Sequence, residues 1–244
     1  ALTQFFNQPL NSWNVGNVTN MSNMFHNALD FNQALSSWNV SSVTNMHSMF
    51  ERALDFNQSI DAWNVSNVTD MSRMFWGTDN FNKSLNSWVV SSVTNMQSMF
   101  SGADVFNGNI TSWNVSNVTN MNNMFRSTPA FNQDINGWNV GSVTDMSEMF
   151  YSADSFNKNL NSWNVSSVTN MYRMFYSTDV FNGNITSWNV SNVTNMSDMF
   201  RVSLAINQDL SGWSVANVTN CLNFHSSSNN QWILPKPNFT NCTP

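Results

Sequence analysis

Trp13-Asn14-Val15-Gly16-Asn17-Val18-Thr19-Asn20-Met21-Ser22-Asn23-Met24-Phe25 is written, with small changes, nine times along the chain. Its tryptophan returns at Trp38, Trp63, Trp88, Trp113, Trp138, Trp163, Trp188 and Trp213, always 25 residues on. A fixed period of this size means one structural unit stacked on copies of itself, and it takes precedence over any element-by-element reading. The expected fold is therefore a repeat solenoid. It has nine rungs over residues 1–225 and a C-terminal cap over 226–244.

Within a rung, Leu35-Ser36-Ser37-Trp38-Asn39-Val40 alternates around Trp38 and Val40, which predicts a short strand with both side chains inward. Such strands would pair in parallel about 4.8 Å apart, giving a buried tryptophan ladder and a stack roughly 45 Å long. The next piece, Val43-Thr44-Asn45-Met46-His47-Ser48-Met49-Phe50, changes to a period near three, which predicts a short helical turn. An Asn or Asp precedes its first Met position in every copy, from Asn20 through Asp70 and Asp145 to Asn220. These side chains accept from orphan N–H groups at the start of a helix. A Phe-Asn pair closes the rung, and its Asn is present from Asn7 to Asn207. An amide on every rung reads as a hydrogen-bonded ladder satisfying turn backbone.

A longer period is superposed. The residue after that Asn runs Lys83, Gly108, Gln133 and then Lys158, Gly183, Gln208, and residues 106–121 are identical to 181–196. A block of three rungs has been duplicated. The ninth rung decays, with Ser214 for Asn, Cys221 for Met, and Phe224-His225 for Met-Phe. Terminal repeats need a different outer face, so Trp232, Ile233 and Leu234 are expected to lie over the last rung. Cys221 and Cys242 suit a disulfide fastening that cap, worth about 3 kcal/mol, in an oxidising compartment. The chain opens at Ala1 in mid-repeat, as expected of a processed protein or a fragment. The first rung has no cap of its own, although Phe5 stands beside Phe6.

The repeat Leu-Ser-Ser-Trp-Asn-Val-Ser-Ser-Val-Thr-Asn-Met-His-Ser-Met-Phe, as at 35–50, with its recurring order Val-Thr-Asn-Met, Met-Phe, Phe-Asn, Trp-Asn-Val, resembles the BspA-like leucine-rich-repeat surface proteins. More narrowly, it resembles their 25/26-residue-repeat subclass of bacterial surface lipoproteins, long filed as a domain of unknown function. The resemblance spans nearly all of residues 1–225. It implies an LRR-like, right-handed β-solenoid displayed outside the cell, with adhesion as the expected role, and it brings no catalytic residue.

Chemistry that depends on singular, convergent residues has little to work with. His26, His47 and His225 stand alone, and there is no Gly-rich phosphate loop, nucleophile elbow or C-x-x-C. The expectation is a non-enzyme without cofactor or metal. Charged residues are 9% of the chain and the net charge is −6, so no basic stripe for nucleic acid is expected. No run is long and apolar enough to span a membrane. Asp30, Asp55, Asp79, Asp104, Asp154 and Asp179 recur beside one turn, as turn residues or a weak acidic edge. The Met pairs are core filler.

If Trp13 and Val15 point inward, Asn14, Asn39, Asn64, Asn114, Asn139, Asn164 and Asn189 form an outward rank, flanked by serines. That rank is the candidate binding face, for a protein or glycan on another surface, or for a second copy in a filament or layer. Ordering of water for ice binding is a third use. Asn17, Asn67, Asn117, Asn192 and Asn217 head N-x-S/T sequons, possible glycosylation sites in a eukaryotic secretory pathway. The expected location is extracellular or at the cell surface.

Overall fold

The computed structural model describes residues 4–244; the start at Ala1 lies outside them. Eight parallel bridges link each rung to the next at one position, from Asn20 with Asn45 to Asn195 with Asn220. The repeat is thus a continuous solenoid, with an unbroken 25-residue register from end to end.

The rung is built differently from the sequence expectation. Among the described residues there is no helix and no strand longer than a single bridge. The backbone ladder between rungs does not run through the Trp-Asn-Val piece. It runs through the Thr-Asn-Met-x-x-Met-Phe piece, where a helical turn was expected.

The cause is backbone handedness. Asn23 and Asn27 have φ of 58°, and the third and seventh residues counted from the first Met position repeat that conformation in later rungs, as at Ser48 and Arg52. An α-helix cannot pass through a left-handed residue. A turn with positive φ at its third residue is the natural alternative. Met24 accordingly donates its N–H to the Met21 carbonyl (3.2 Å), and Ala28 to Phe25 (3.0 Å).

Those turns occupy every second peptide group. The alternate N–H groups of Met21, Asn23, Phe25 and Asn27 donate along the axis to Asn45, His47, Met49 and Glu51, at 2.8–2.9 Å. Thr44 N–H donates in the opposite sense, to Thr19 O (2.8 Å). Turn bonds within a rung and ladder bonds between rungs thus satisfy the backbone that burial would otherwise leave unpaired.

In the Trp-Asn-Val piece the expected strand is replaced by two turns, Trp38 N–H to Leu35 O (3.1 Å) and Val43 N–H to Val40 O (2.9 Å). Side chains connect the rungs here, joined at two rungs by the backbone bonds of Leu85 N–H to Asn109 O and Leu160 N–H to Asn184 O (3.0 Å each). The indole N–H of Trp38 donates to Leu10 O (2.9 Å), and that of Trp113 to Leu85 O (2.8 Å). Each ladder tryptophan from Trp38 to Trp213 repeats this bond, so a ring that fills the core also leaves no donor unpaired.

Inside, the rings stack in three columns. Trp113 and Trp138 lie 6.1 Å apart, Phe25 and Phe50 5.2 Å, and Phe31 and Phe56 6.1 Å. The two phenylalanine columns are joined where Phe25 stacks on Phe31 at 4.1 Å. Trp38 and Val40 are buried, as the alternation predicted.

At the C-terminal end Cys221 and Cys242 are disulfide-bonded with Cα atoms 5.8 Å apart. Trp232 is buried and meets Phe200 edge-on, with Phe239 against Phe224. Ile233 and Leu234 do not share in the cover: they are 82% and 39% exposed. Pro235 O accepts from Leu210 N–H (2.9 Å) as the next rung's carbonyl would. That bond directs the segment along the edge of the last rung and leaves Ile233 outside.

Candidate functional site

The outward Asn rank is formed as expected. Asn14, Asn39, Asn64, Asn114, Asn139, Asn164 and Asn189 are all exposed. Each is held by its own backbone: the Oδ1 atoms of Asn39, Asn64 and Asn114 accept the N–H two residues on at 3.1–3.2 Å. Gly16, Gly141, Ser166 and Ser191 donate to the other four in the same way. This is an Asx turn. It fixes the amide plane and leaves the Nδ2 group as the free donor. Val89 breaks the rank and is 56% exposed.

The sequon column lies beside it. Asn67, Asn117, Asn192 and Asn217 are exposed, and each uses Nδ2 to donate to the carbonyl of the preceding rung, at Ser41, Ser91, Ser166 and Ser191 (2.7–2.8 Å). Asn17 makes no such bond among the described residues. The nitrogen that a glycan would occupy is therefore already a rung-to-rung tie in four of the five.

Two other Asn columns are purely architectural. Asn32 N–H donates to Asn7 Oδ1 (3.1 Å), and the same link repeats at every rung to Asn207 with Asn182 (2.9 Å). The residue before the first Met does accept from an N–H two residues on, as at Asn20 with Ser22 (2.9 Å) and Asp70 with Ser72 (2.8 Å). It opens a run of turns where a helix cap was expected.

The structure also collects a cluster that the rank-by-rank reading passed over. Every arginine of the chain, Arg52, Arg73, Arg126, Arg173 and Arg201, falls between the third and seventh residues counted from the first Met position of the turn piece. So do Tyr151, Tyr176 and Trp76, and Tyr172 stands one residue before that window. On this ridge Tyr151 and Tyr176 stack at 4.7 Å with planes 2° apart. Arg126 lies over Tyr151 at 4.7 Å and Arg173 over Tyr172 at 4.7 Å. Arg126 Nε meets Glu148 Oε2 at 2.8 Å, and Asp198 is met by Arg173 (3.4 Å) and Arg201 (3.3 Å). The readable signal was the departure from the repeat, with the rare charged and aromatic residues confined to one short segment.

The histidines are dispersed. His26 Nδ1 lies 3.7 Å from Glu51, and His47 Nδ1 lies 2.7 Å from Ser72 Oγ. His225 sits in the cap, edge-on to Trp232. Burial there, followed by the Lys236 ammonium, lowers its pKa below the ordinary histidine value. Among the described residues no three His, Cys, Asp or Glu side chains lie close enough to hold a metal ion. Nor is any helix long and apolar enough to cross a membrane.

A closed 25-residue register with amide and hydroxyl columns outside and aromatic columns inside defines a tandem-repeat solenoid protein. The chain belongs to the family described as "Mycoplasma protein of unknown function, DUF285", whose model matches residues 1–108, 85–179 and 155–233. None of the curated proteins matches it. One similar solved structure is titled "Crystal structure of TLR13-ssRNA13 complex". It is 7% identical with a TM-score of 0.33, over 86% of this chain and 35% of that one.

Proposed function

We propose that this solenoid is a non-enzymatic, extracellular display protein whose Asn rank binds a protein or glycan on another surface. The observation that carries the reading is the free Nδ2 of each ranked Asn, aimed by an Asx turn whose acceptor is already used. A ligand meets donors fixed before it arrives, at the rung interval. Little ordering entropy is then lost on binding, which is how pre-organised surfaces gain affinity. The disulfide of the cap supports a setting outside a reducing cytosol. The resemblance to BspA-like, LRR-like right-handed solenoids of the cell surface supports the same reading, and adhesion is the role it favours.

The test is a screen of glycans and matrix proteins with the whole chain and with N64D/N114D/N139D. Aspartate keeps the Oδ1 acceptor and the turn but deletes the donor. Binding reduced at least about tenfold, roughly 1.4 kcal/mol, with an unchanged melting curve is the expected result. Binding that is indifferent to all three substitutions would exclude this face. The second reading, a structural subunit of an extracellular filament or layer, is favoured by the confinement of all five arginines to one ridge of an anionic chain.

A further inference from the structure

The five arginines occupy one ridge, and of the chain's 14 acidic residues only Glu51, Glu148 and Asp198 share it. The remaining acids lie elsewhere, so a chain of net charge −6 carries a locally cationic strip on an otherwise anionic body. Two of the cations are equivalent by the repeat: Arg126 and Arg201 hold the same place, 75 residues and three rungs apart. Two acidic positions keep the same interval. Asp104-Val105 and Asp179-Val180 are also equivalent and also three rungs apart. All four of these residues are exposed, the two valines at 42% and 43%.

These carboxylates are unmatched. Among the described residues no ion pair includes Asp79, Asp104, Asp154 or Asp179. They stand as like-charged neighbours on successive rungs, Asp79 beside Asp104 and Asp154 beside Asp179. Partial desolvation, and then the neighbouring carboxylate, raise the pKa values of Asp79 and Asp154. Arg52 offsets this in part at Asp79, and no cation offsets it at Asp154.

On the ridge, Arg126 and Arg201 keep side-chain exposures of 41% and 39%. Each spends one edge of its guanidinium on Glu148 or Asp198, and the five-donor fork has N–H groups left over. Beside them the Tyr151–Tyr176 stack presents ring edges, because the two rings cover one another and Arg126 and Arg201 lie over Tyr151 and Tyr176. A sugar ring therefore finds no open face on this stack. Interleaved Glu148 and Asp198 repel a polyphosphate. Tyrosine and arginine without lysine is the composition of protein contact sites.

We propose that the Arg126/Arg201 ridge docks laterally on the Asp104-Val105 and Asp179-Val180 positions of a second copy of this chain. Both halves of the contact share the three-rung interval, roughly 14 Å at about 4.8 Å per rung. Whether the two axes run parallel or antiparallel, seating one Arg on one Asp brings the other pair into register. The valines then meet the tyrosine edges. Exposed ion pairs are weak singly, so the association is reversible, concentration-dependent and salt-sensitive. This contact goes beyond the Asn-rank reading and shares no residue with it.

The experiment is light scattering and sedimentation of the whole chain at about 20 mM and about 500 mM salt, where screening lengths differ severalfold. Alongside it run R126E/R201E, D104R/D179R and their equimolar mixture. The expected result is a mean mass that rises above 27.6 kDa with concentration at low salt, and an association constant at least about tenfold lower at high salt. Each charge-reversed chain stays monomeric while folded by its melting curve, and the mixture associates again. The neutral pair D104N/D179N serves if a reversal fails to fold, and it also stays monomeric. A wild type that is monomeric at low salt, association indifferent to the reversals, or a mixture that does not recover would overturn the proposal. N64D/N114D/N139D leaves the mass unchanged, so failure here is distinct from failure of the ligand-binding face.

Discussion

Replacing Gly108 by alanine is the substitution for which the stacking geometry makes its sharpest demand. A Cβ at Gly108 would sit 2.2 Å from Lys83 O and 2.9 Å from the Lys83 carbonyl carbon. Both are backbone atoms of the preceding rung, and neither can rotate away. Relief requires the two rungs to part locally. That strains Leu85 N–H to Asn109 O (3.0 Å) and Asn107 N–H to Asn82 Oδ1 (2.9 Å). Overpacking of this kind costs about 1–3 kcal/mol. Each weakened backbone bond adds about 0.5–1.5 kcal/mol. The expected destabilisation of Gly108→Ala is therefore about 2–6 kcal/mol. Gly183 repeats the approach, 2.0 Å from Lys158 O, and Gly183→Ala should behave alike. Gly137 is the internal control. Nothing lies within 4 Å of its Cβ position, and Gly137→Ala should be neutral or stabilising by up to about 1 kcal/mol. Urea unfolding of the three variants beside the wild type measures the difference. Equal midpoints for Gly108→Ala and Gly137→Ala would refute the close approach of rungs at the Gly rungs of the three-rung block.

Val202 holds φ of 61°, a conformation costly for a β-branched residue. Val202→Gly should raise stability by about 1 kcal/mol, seen as a higher urea midpoint; a fall would contradict the strain. Trp113→Phe removes the indole donor to Leu85 O (2.8 Å) and should cost about 1–3 kcal/mol. Trp13→Phe, at a side chain 52% exposed, should cost little, and equal losses would count against the ladder. His225 favours its neutral form in the folded cap, through burial and then Lys236. Its contribution is thus present above the ordinary value of 6.5 and is lost as pH falls through the lowered folded value. As pH falls below 6.5, exchange of the cap amides should quicken relative to their intrinsic rates, and His225→Phe should abolish that dependence. The carboxyls of Asp79 and Asp154, raised above 3.8, contribute in the opposite sense and at lower pH.

The 25-residue register and the inward face of each rung were legible in the sequence because both follow from side-chain identity. Trp38, Val40, Met46 and Phe50 are buried as their spacing implied. The Asn7-to-Asn207 ladder was legible for the same reason, since an amide kept on every rung has an obvious backbone to satisfy. Backbone conformation was not legible. Asn23, Ser48, Arg73 and Glu148 share a left-handed φ with no common side chain to announce it. A period of three from alternating turns looks the same as one helical turn. The cap illustrates the limit in another way: Trp232, Ile233 and Leu234 are equally apolar on paper, yet only Trp232 has a last-rung carbonyl within reach, Gln208 O at 2.8 Å. The arginine and tyrosine ridge was available as a departure from the repeat, but its pairings depend on which residues neighbouring rungs bring together.

Amide exchange and scalar couplings, residue by residue, test the rung most directly. A ladder of turns predicts strong protection at Met46, Ser48, Phe50 and Arg52, whose N–H groups donate to the next rung at 2.7–3.0 Å. It also predicts left-handed couplings at Ser48 and Arg52 and no protection pattern of paired strands at Trp38–Val40. Helical shifts across 46–50, or slow exchange centred on the Trp-Asn-Val piece, would contradict the account.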